Sequence, residues 1–202
     1  MTLYIIRHGE TDFNKQGKVQ GKIDTYLNLT GREQGKLFYE YHKNIRFDLI
    51  LTSSLKRTHQ TVARFIKQNA AIWEPTPDLD EISWGVHEGQ KYLPELEANY
   101  KIMMNGWENG DYDRKIEGGE SAAELAERVG RVIEKLKHTK AKNVLICTHG
   151  RTLLCLITLL KGQPLKEMNR HKHQNTGLYV VHYVDNEFIF EIENEAKHLS
   201  NV

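Results

Sequence analysis

The sequence predicts an α/β protein, a three-layer α/β/α sandwich around a mixed, mostly parallel sheet. Short apolar runs that are typical of buried strands alternate along the 202 residues with longer segments of helical spacing. Neither an internal repeat nor a low-complexity linker interrupts this alternation, so positions 1–202 are expected to form a single domain. The segment at about 83–119, rich in Gly, Trp, Tyr and Asn, is expected to form a lid over the strand ends.

Strands are expected where short runs of apolar and β-branched residues are bounded by polar ones. These runs lie at 3–6, 47–51, 143–147, 178–184 and 187–192. The last two are joined by Asp185 and Asn186, which predict a tight hairpin turn. Pro75 and Pro77 predict a loop between the second strand and the segments that follow.

Helices are expected where capping residues precede apolar residues at helical spacing. These segments lie at about 30–43, 55–69, 94–104, 122–136 and 151–161. The pair Thr30 and Glu33 has the spacing of a capping box, as does the pair Ser121 and Glu124. Each pair is therefore expected to mark the start of a helix.

The composition argues against several classes of function. The 28 basic and 27 acidic side chains give a net charge of +1, so no global field attracts nucleic acid or a membrane surface. The longest apolar run, 153–160, is too short for a bilayer of about 30 Å. Cys147 and Cys155 lie in apolar runs without CxxC spacing and are expected to be buried, reduced thiols. A cytoplasmic protein is expected, and its oligomeric state, monomer or homodimer, stays open.

Three predicted strands are followed by turns that carry cationic or histidine side chains. Arg7 and His8 follow the first strand, Arg57 lies just beyond the second, and His149 follows the third. Ligands of parallel sheets bind at the carboxyl ends of the strands, so these side chains would converge if the strands are neighbours. Arginine forks match phosphate oxygens, and the glycines beside both histidines allow a ligand to approach the backbone. The pattern predicts a site for a phosphoryl group.

The residue types also suggest a reaction. A neutral imidazole is a nucleophile near pH 7, so His8 can attack phosphorus without a separate base. Arg7, Arg57 and His149 would stabilise the charge on the transferred group. The sequence has no HExxH, DxDx or CxxC cluster, so neither a metal nor another cofactor is expected.

The leaving alcohol of such a reaction needs a proton from a nearby acid. Glu81 is the best candidate because it precedes Trp84 at the start of the irregular segment, where an aromatic wall could favour its acid form. Asp80 and Glu88 are rivals on spacing alone.

The motifs as a set resemble the histidine phosphatase superfamily, the phosphoglycerate mutase-like group, over positions 2–151. They are Arg7-His8-Gly9-Glu10-Thr11 with Asn14, Leu29-Thr30-Gly31 with Gln34, Ser53-Ser54-Leu55-Lys56-Arg57 with Gln60-Thr61, Leu79 with Glu81, Gly85 and Glu88-Gly89, Gly118-Gly119-Glu120-Ser121, Thr148-His149-Gly150 and, more loosely, Asn175-Thr176. The resemblance implies that His8 carries the phosphoryl group and that Glu81 acts as general acid and then as base. It implies that the group is bound by Arg7, Arg57 and His149, with Asn14 and Gly150 beside it, and that no metal takes part.

Three functions stay open at this point. The first is a metal-independent phosphatase that hydrolyses a small phosphorylated metabolite through phospho-His8 and releases inorganic phosphate. The second is a phosphoglycerate mutase, although the mutases of the family are usually longer than this chain. The third, more remote, is a non-catalytic phosphate-binding protein.

Several positions bear on the substrate rather than on the chemistry. This chain differs from the family pattern near the predicted pocket at Lys22, Asn28, His59, Ile116, Glu117 and Arg151. Arg151 could supply charge for a second anionic group. The aromatic residues Trp84, Tyr92, Tyr100 and Trp107 could line the pocket or pack in the core. His171 and His173 are expected to be exposed side chains of a polar segment rather than metal ligands.

Overall fold

A computed structural model describes residues 1–68, 70–91 and 93–200. Within this part of the chain one sheet is formed by β1 (Thr2–Arg7), β2 (Leu49–Thr52), β3 (Ile72–Pro75), β4 (Asn143–Thr148), β5 (Leu178–Val184) and β6 (Glu187–Glu195). The strand order is β3-β2-β4-β1-β5-β6. β4 pairs in parallel with both β1 and β2, and β2 pairs in parallel with β3, whereas β5 and β6 are antiparallel. The predicted mixed, mostly parallel sheet is confirmed.

Helices cover both faces of this sheet. They are α1 (Asp12–Lys15), α2 (Leu29–His42), α3 (Lys56–Gln68), α4 (Pro94–Glu108), α5 (Ala122–Lys137) and α6 (Gly150–Leu160). The core on one face is built with α2 and α3, and the core on the other face with α4, α5 and α6. The three-layer α/β/α architecture is therefore as the sequence predicts. Among the described residues, no helix combines the length and apolar character needed to cross a membrane.

Successive residues of the central strands point to opposite faces of the sheet. Leu3 and Ile5 of β1 pack in the core under α5 and α6, whereas Ile6 packs with Phe38 of α2 and Phe65 of α3. Because both faces are covered, every residue of such a strand can be apolar. This explains the uninterrupted apolar runs in the sequence.

The predicted capping boxes have different outcomes. Ser121 caps α5, since its Oγ accepts a hydrogen bond from Glu124 N at 3.2 Å and Glu124 Oε2 accepts one from Ser121 N at 2.8 Å. The prediction for Thr30 is wrong. The helix begins earlier than predicted, and Asn28 is its N-cap. The Oδ1 of Asn28 accepts a hydrogen bond from the backbone N of Gly31 at 2.8 Å, which would otherwise lack a partner at the helix start.

The region after β2 also differs from expectation. Pro75, predicted to lie in a loop, is the last residue of the edge strand β3, where a missing N–H is tolerated. α3 begins at Lys56, one residue after the predicted start at about residue 55. The backbone N and Oγ of Ser54 donate to the Asp80 carboxylate. The predicted end of this helix, residue 69, lies outside the described residues.

The segment predicted to form a lid contains a 3-10 turn at Gly85–His87 and then α4. Met103 and Trp107 of α4 are buried in the core with α5 and α6. Tyr100, on the same helix, lines a cavity at the carboxyl edge of the sheet. One side of α4 thus anchors the segment and another reaches the strand ends.

The start of α2 packs closely on the turn that follows β1, and a substitution at Gly31 tests this packing. A Cβ at Gly31 would lie 2.0 Å from Glu10 O, so Gly31→Ala must displace backbone. We expect the free energy of unfolding to fall by about 1–3 kcal/mol, measured by urea denaturation. Gly130→Ala in α5 is the matched control, since its Cβ would meet nothing within 4 Å. It should be neutral or stabilising by up to about 1 kcal/mol. Equal losses at both positions would contradict the close packing.

Candidate active site

The carboxyl ends of β1, β2 and β4 lie at one edge of the sheet, and the predicted side chains meet there. Arg7 of β1 is in register with Thr148 of β4, so the residues that follow them are neighbours. The ring centroids of His8 and His149 are 5.1 Å apart. Arg57, at the start of α3, places its Nε 3.1 Å from His149 Nδ1. Parts of the chain that are distant in sequence therefore form one cluster.

The His8 ring is held in a defined orientation. Its Nδ1 lies 2.7 Å from Gly9 O, and since a carbonyl only accepts, Nδ1 carries the hydrogen of the neutral ring. The backbone O of His8 accepts from Asn175 Nδ2 at 2.8 Å. Burial, and after it the charges of Arg57 and Arg7, hold the pKa of His8 well below its ordinary value of 6.5. The ring is thus neutral near pH 7, with the lone pair on Nε2.

The His149 ring is also neutral but is engaged on both sides. Its Nδ1 accepts from Arg57 Nε, so Nε2 carries the hydrogen and donates to Ser53 Oγ at 2.7 Å. Burial, with Arg57 next, lowers the pKa of His149 well below 6.5. A phosphoryl oxygen would bond to this ring only by replacing one of the two protein contacts.

Arg57 is a buried cation with a rigid set of partners. Its Nη1 donates to Ile23 O and its Nη2 to Gly21 O, each at 2.8 Å. Burial lowers the pKa of Arg57 to about 10, which still leaves the side chain protonated at neutral pH. Each Nη carries a second hydrogen beyond the one given to a carbonyl. The guanidinium can therefore donate to an anion without losing its present contacts.

Arg7 and Asn14 line the cavity in front of His8. The Nη1 of Arg7 lies 3.1 Å from His173 Nδ1. The Oδ1 of Asn14 accepts from both the backbone N and the Oγ1 of Thr11. Because that oxygen is occupied, the amide nitrogen is the part of Asn14 that can reach a ligand oxygen.

Glu81 is fixed at the start of α6. The side chain of the N-cap residue, His149, makes no hydrogen bond to the helix start, and the Glu81 carboxylate accepts the backbone N–H groups there instead. Its Oε1 accepts from Thr152 N at 3.1 Å and its Oε2 from Arg151 N at 3.2 Å. Gly150 keeps the adjoining space open, since a Cβ there would lie 3.6 Å from Glu81 Oε2. The same Cβ would lie 3.1 Å from His173 Cε1.

The two rival carboxylates have other roles. Asp80 accepts from the backbone N and the Oγ of Ser54. Glu88 Oε1 accepts from Trp84 N at 2.9 Å and from Lys22 N at 3.2 Å. Neither lines the cavity in which His8 lies, so Glu81 is the carboxylate that faces it.

The cavity has a volume of about 210 Å³. Its wall includes most of the residues that the sequence indicated, namely Arg7, His8, Asn14, Glu81 and Gly150. Arg57 and His149 are fully buried behind this wall. In the described part of the chain, no group of three or more His, Cys, Asp or Glu side chains is placed to hold a metal ion.

Other lining residues had weaker signals in the sequence or none. Trp84 and Tyr100 line the cavity and also pack against the core, whereas Trp107 lies within the core and Tyr92 lies outside the described residues. Lys18 and His173 also line it. The sequence pattern gave no indication of Lys18. His173 is exposed, as the sequence predicts, and it also contacts Arg7 at the cavity.

Known proteins are similar to this chain in sequence and in fold. The family model described as "Histidine phosphatase superfamily (branch 1)" matches residues 3–196. A Yersinia enterocolitica protein named as a probable phosphoglycerate mutase is 32% identical over 194 residues, which cover 94% of this chain and 88% of the relative. A Hydrogenobacter thermophilus protein named as a phosphoserine phosphatase is 28% identical over 180 residues, 89% of this chain and 88% of the relative.

The solved structures agree with the sequence relatives. The crystal structure of an alpha-ribazole phosphatase from Shigella flexneri aligns with a TM-score of 0.85 at 27% identity and covers 97% of both chains. Together with the family match over almost the whole chain, this confirms the resemblance seen in the sequence. The chain belongs to the histidine phosphatase superfamily.

Proposed function

We propose that this chain is a phosphatase that hydrolyses a small phosphorylated metabolite through a phosphohistidine on His8. The observation that carries the proposal is the neutral His8 ring, with its Nε2 lone pair, beside the cations Arg7 and Arg57. A buried, preorganised cluster of this kind stabilises charge that builds on a phosphoryl group in transfer.

The first step forms a P–N bond and breaks the P–O bond of the ester. His8 Nε2 donates its electron pair to phosphorus, and the bond pair of the ester leaves with the alkoxide oxygen. Glu81 in its acid form gives its proton to that oxygen, so the alcohol departs neutral. Arg7, Arg57 and the amide of Asn14 donate to the phosphoryl oxygens during the transfer.

The second step returns the enzyme to its starting state. The Glu81 carboxylate takes a proton from a water molecule as the water oxygen attacks phosphorus. The P–N bond breaks, its electron pair returns to His8 Nε2, and inorganic phosphate leaves. The assignment of both roles to Glu81 is supported by its position, because it faces the cavity and is fixed at the start of α6.

The size of the cavity and the names of relatives bear on the choice of substrate and reaction. A volume of about 210 Å³ lies below the roughly 300–1,000 Å³ of drug-sized ligand sites, which favours a small metabolite. Relatives named as phosphatases support hydrolysis. The 32% identical relative named as a phosphoglycerate mutase favours the second candidate, in which a substrate hydroxyl replaces water. Primer-stimulated interconversion of 2- and 3-phosphoglycerate that exceeds hydrolysis would overturn the phosphatase proposal.

Replacement of the nucleophile is the direct test of the phosphohistidine. His8→Ala should lower the turnover of p-nitrophenyl phosphate, assayed in EDTA, by about a thousandfold or more. Rapid acid-free quenching of the wild-type protein should trap a phosphorylated His8 that mass spectrometry locates. His138→Ala, at an exposed residue beyond α5, is the control and should keep wild-type turnover. Undiminished activity in His8→Ala, or loss of wild-type activity in EDTA, would refute the mechanism.

The role of Glu81 predicts a dependence on the leaving group. p-Nitrophenolate leaves without a proton, so Glu81→Gln should still show a rapid burst of it and then stall at the phosphoenzyme. An alkyl phosphate, which needs the proton, should show no burst with this variant. Quenched-flow kinetics measures both, and Glu88→Gln is the control that should not separate the two substrates. A Glu81→Gln variant that slows both first steps equally would exclude Glu81 as the acid.

The lowered pKa of His8 gives a prediction that needs no substrate. A group whose pKa is lowered binds its proton only at a pH well under the ordinary value of 6.5. The imidazole NMR signals of His8, assigned by their loss in His8→Asn, should therefore report a neutral ring throughout the titration from pH 7.5 through 6.5. A midpoint near 6.5 would show that neither burial nor the surrounding cations lower the pKa of the ring.

A further inference from the structure

Arg151 places a cation in the wall of the same cavity that holds His8 and Glu81. Its Nη1 donates to Asn169 Oδ1 and its Nη2 to Tyr100 Oη, each at 2.6 Å. Both partners are neutral. None of the ion pairs among the described residues includes the guanidinium of Arg151, which lines the cavity.

The position of this guanidinium is also restrained by aromatic rings. Its central carbon lies 5.9 Å from the ring centroids of both Trp84 and Trp107, a distance at which a cation is attracted by an aromatic face. Trp84 in turn packs edge-on against Tyr100, with centroids 5.6 Å apart. The side chain is thus preorganised by neutral groups, which is how a binding arginine is held ready for an anion.

Arg128 shows what a structural arginine looks like in this chain. It is buried, and its Nε and Nη2 donate to the two carboxylate oxygens of Glu120 at 2.6 and 2.9 Å. Such a fork-to-fork pair leaves no net charge to offer a ligand. A guanidinium has five N–H groups, and the hydrogen bonds of Arg151 within the described chain use two of them. Arg151 therefore retains both charge and donors.

The balance of charged side chains around the whole cavity also favours an anionic ligand. Its lining includes the cations Arg7, Lys18 and Arg151 but a single carboxylate, Glu81. The Lys18 ammonium lies 5.5 Å from the ring centroid of Phe13, and no ion pair to it occurs in the described part of the chain. One phosphoryl group at His8 is served by Arg7 with Arg57 behind it. Arg151 and Lys18 remain as positive charge on the rest of the wall.

We propose that Arg151, with Lys18 beside the same cavity, binds a second anionic group of the substrate. The substrate class is then a small phosphomonoester that also carries a carboxylate or a second phosphate. This proposal rests on the proposed function, since it takes His8 as the position of the phosphoryl group that reacts. A planar, bidentate donor suits either anion, so the test must separate the two sources.

The test compares ligands that differ only in the second group. 3-Phosphoglycerate is matched with glycerol 3-phosphate, in which a hydroxymethyl group replaces the carboxylate. Propane-1,3-diol bisphosphate is matched with its monophosphate. Calorimetric titration of His8→Ala, which cannot turn them over, should show at least one anionic member binding about tenfold more tightly than its neutral match. The pair that shows this preference identifies the second group.

Substitution of Arg151 then tests whether this side chain causes the preference for the anionic ligand. In His8→Ala/Arg151→Gln the ratio of the two affinities should fall to about threefold or less. The control His8→Ala/Arg170→Gln removes an equal charge from a surface arginine that is 79% exposed and should keep the tenfold ratio. If Arg151→Gln does not fold, Tyr100→Phe removes one holding contact and should also reduce the ratio. A ratio near one in His8→Ala, or one that Arg151→Gln leaves unchanged, overturns the proposal.

Turnover separates this proposal from the one on which it rests. Wild-type protein should show the same preference in kcat/KM, and Arg151→Gln should lose it. If the wild-type protein hydrolyses none of these esters nor p-nitrophenyl phosphate, while the affinity ratio still depends on Arg151, the phosphatase assignment fails and the second anion site stands. If all are hydrolysed with no dependence on Arg151, the reverse holds.

Discussion

The parallel pairing of β4 with β1 on one side and β2 on the other is the constraint on which the candidate active site depends. The hydrogen-bond ladder continues past the strand ends, because His8 N donates to Thr148 O and Ser53 N donates to Cys147 O. The turns after the three strands are thereby held level with one another. A shift of either pairing would separate His8 from His149 and leave a buried Arg57 without its ring partner.

The electrostatics of the cluster follow from this geometry. Arg57 is desolvated, and the Gly21 and Ile23 carbonyls offset part of that cost. Burial, and after it the charge of Arg57, lower the pKa of both neighbouring histidines, so both rings stay neutral. The same cause that limits repulsion in the folded protein leaves His8 with a nucleophilic lone pair. In the proposed reaction, a phosphoryl dianion would bring further negative charge to this cluster.

The fold and the centre of the site could be predicted because both rest on local signals. Apolar runs followed at once by Arg7-His8 and His149 identify strand ends, and parallel topology brings such ends together. Thr30 and Glu33 have capping-box spacing, yet Asn28 caps α2, and its amide also donates to Glu10 Oε1 at 2.7 Å, a tertiary contact that local spacing does not reveal. His173 and Lys18 line the cavity only because the tertiary structure brings them there. No local sequence pattern predicts such a position.

The order of strands has a consequence for synthesis on the ribosome. β1 leads directly into the Arg-His-Gly motif and is made first, yet its two neighbours in the sheet are β4 and β5, which begin at residues 143 and 178. Pairing across so long a stretch of chain closes a large loop and is slow. Until β4 has emerged, the nascent chain carries its imidazole motif with no walls around it. The cavity at the strand ends is therefore a late product of translation, and a prematurely terminated chain would keep the motif without the cavity.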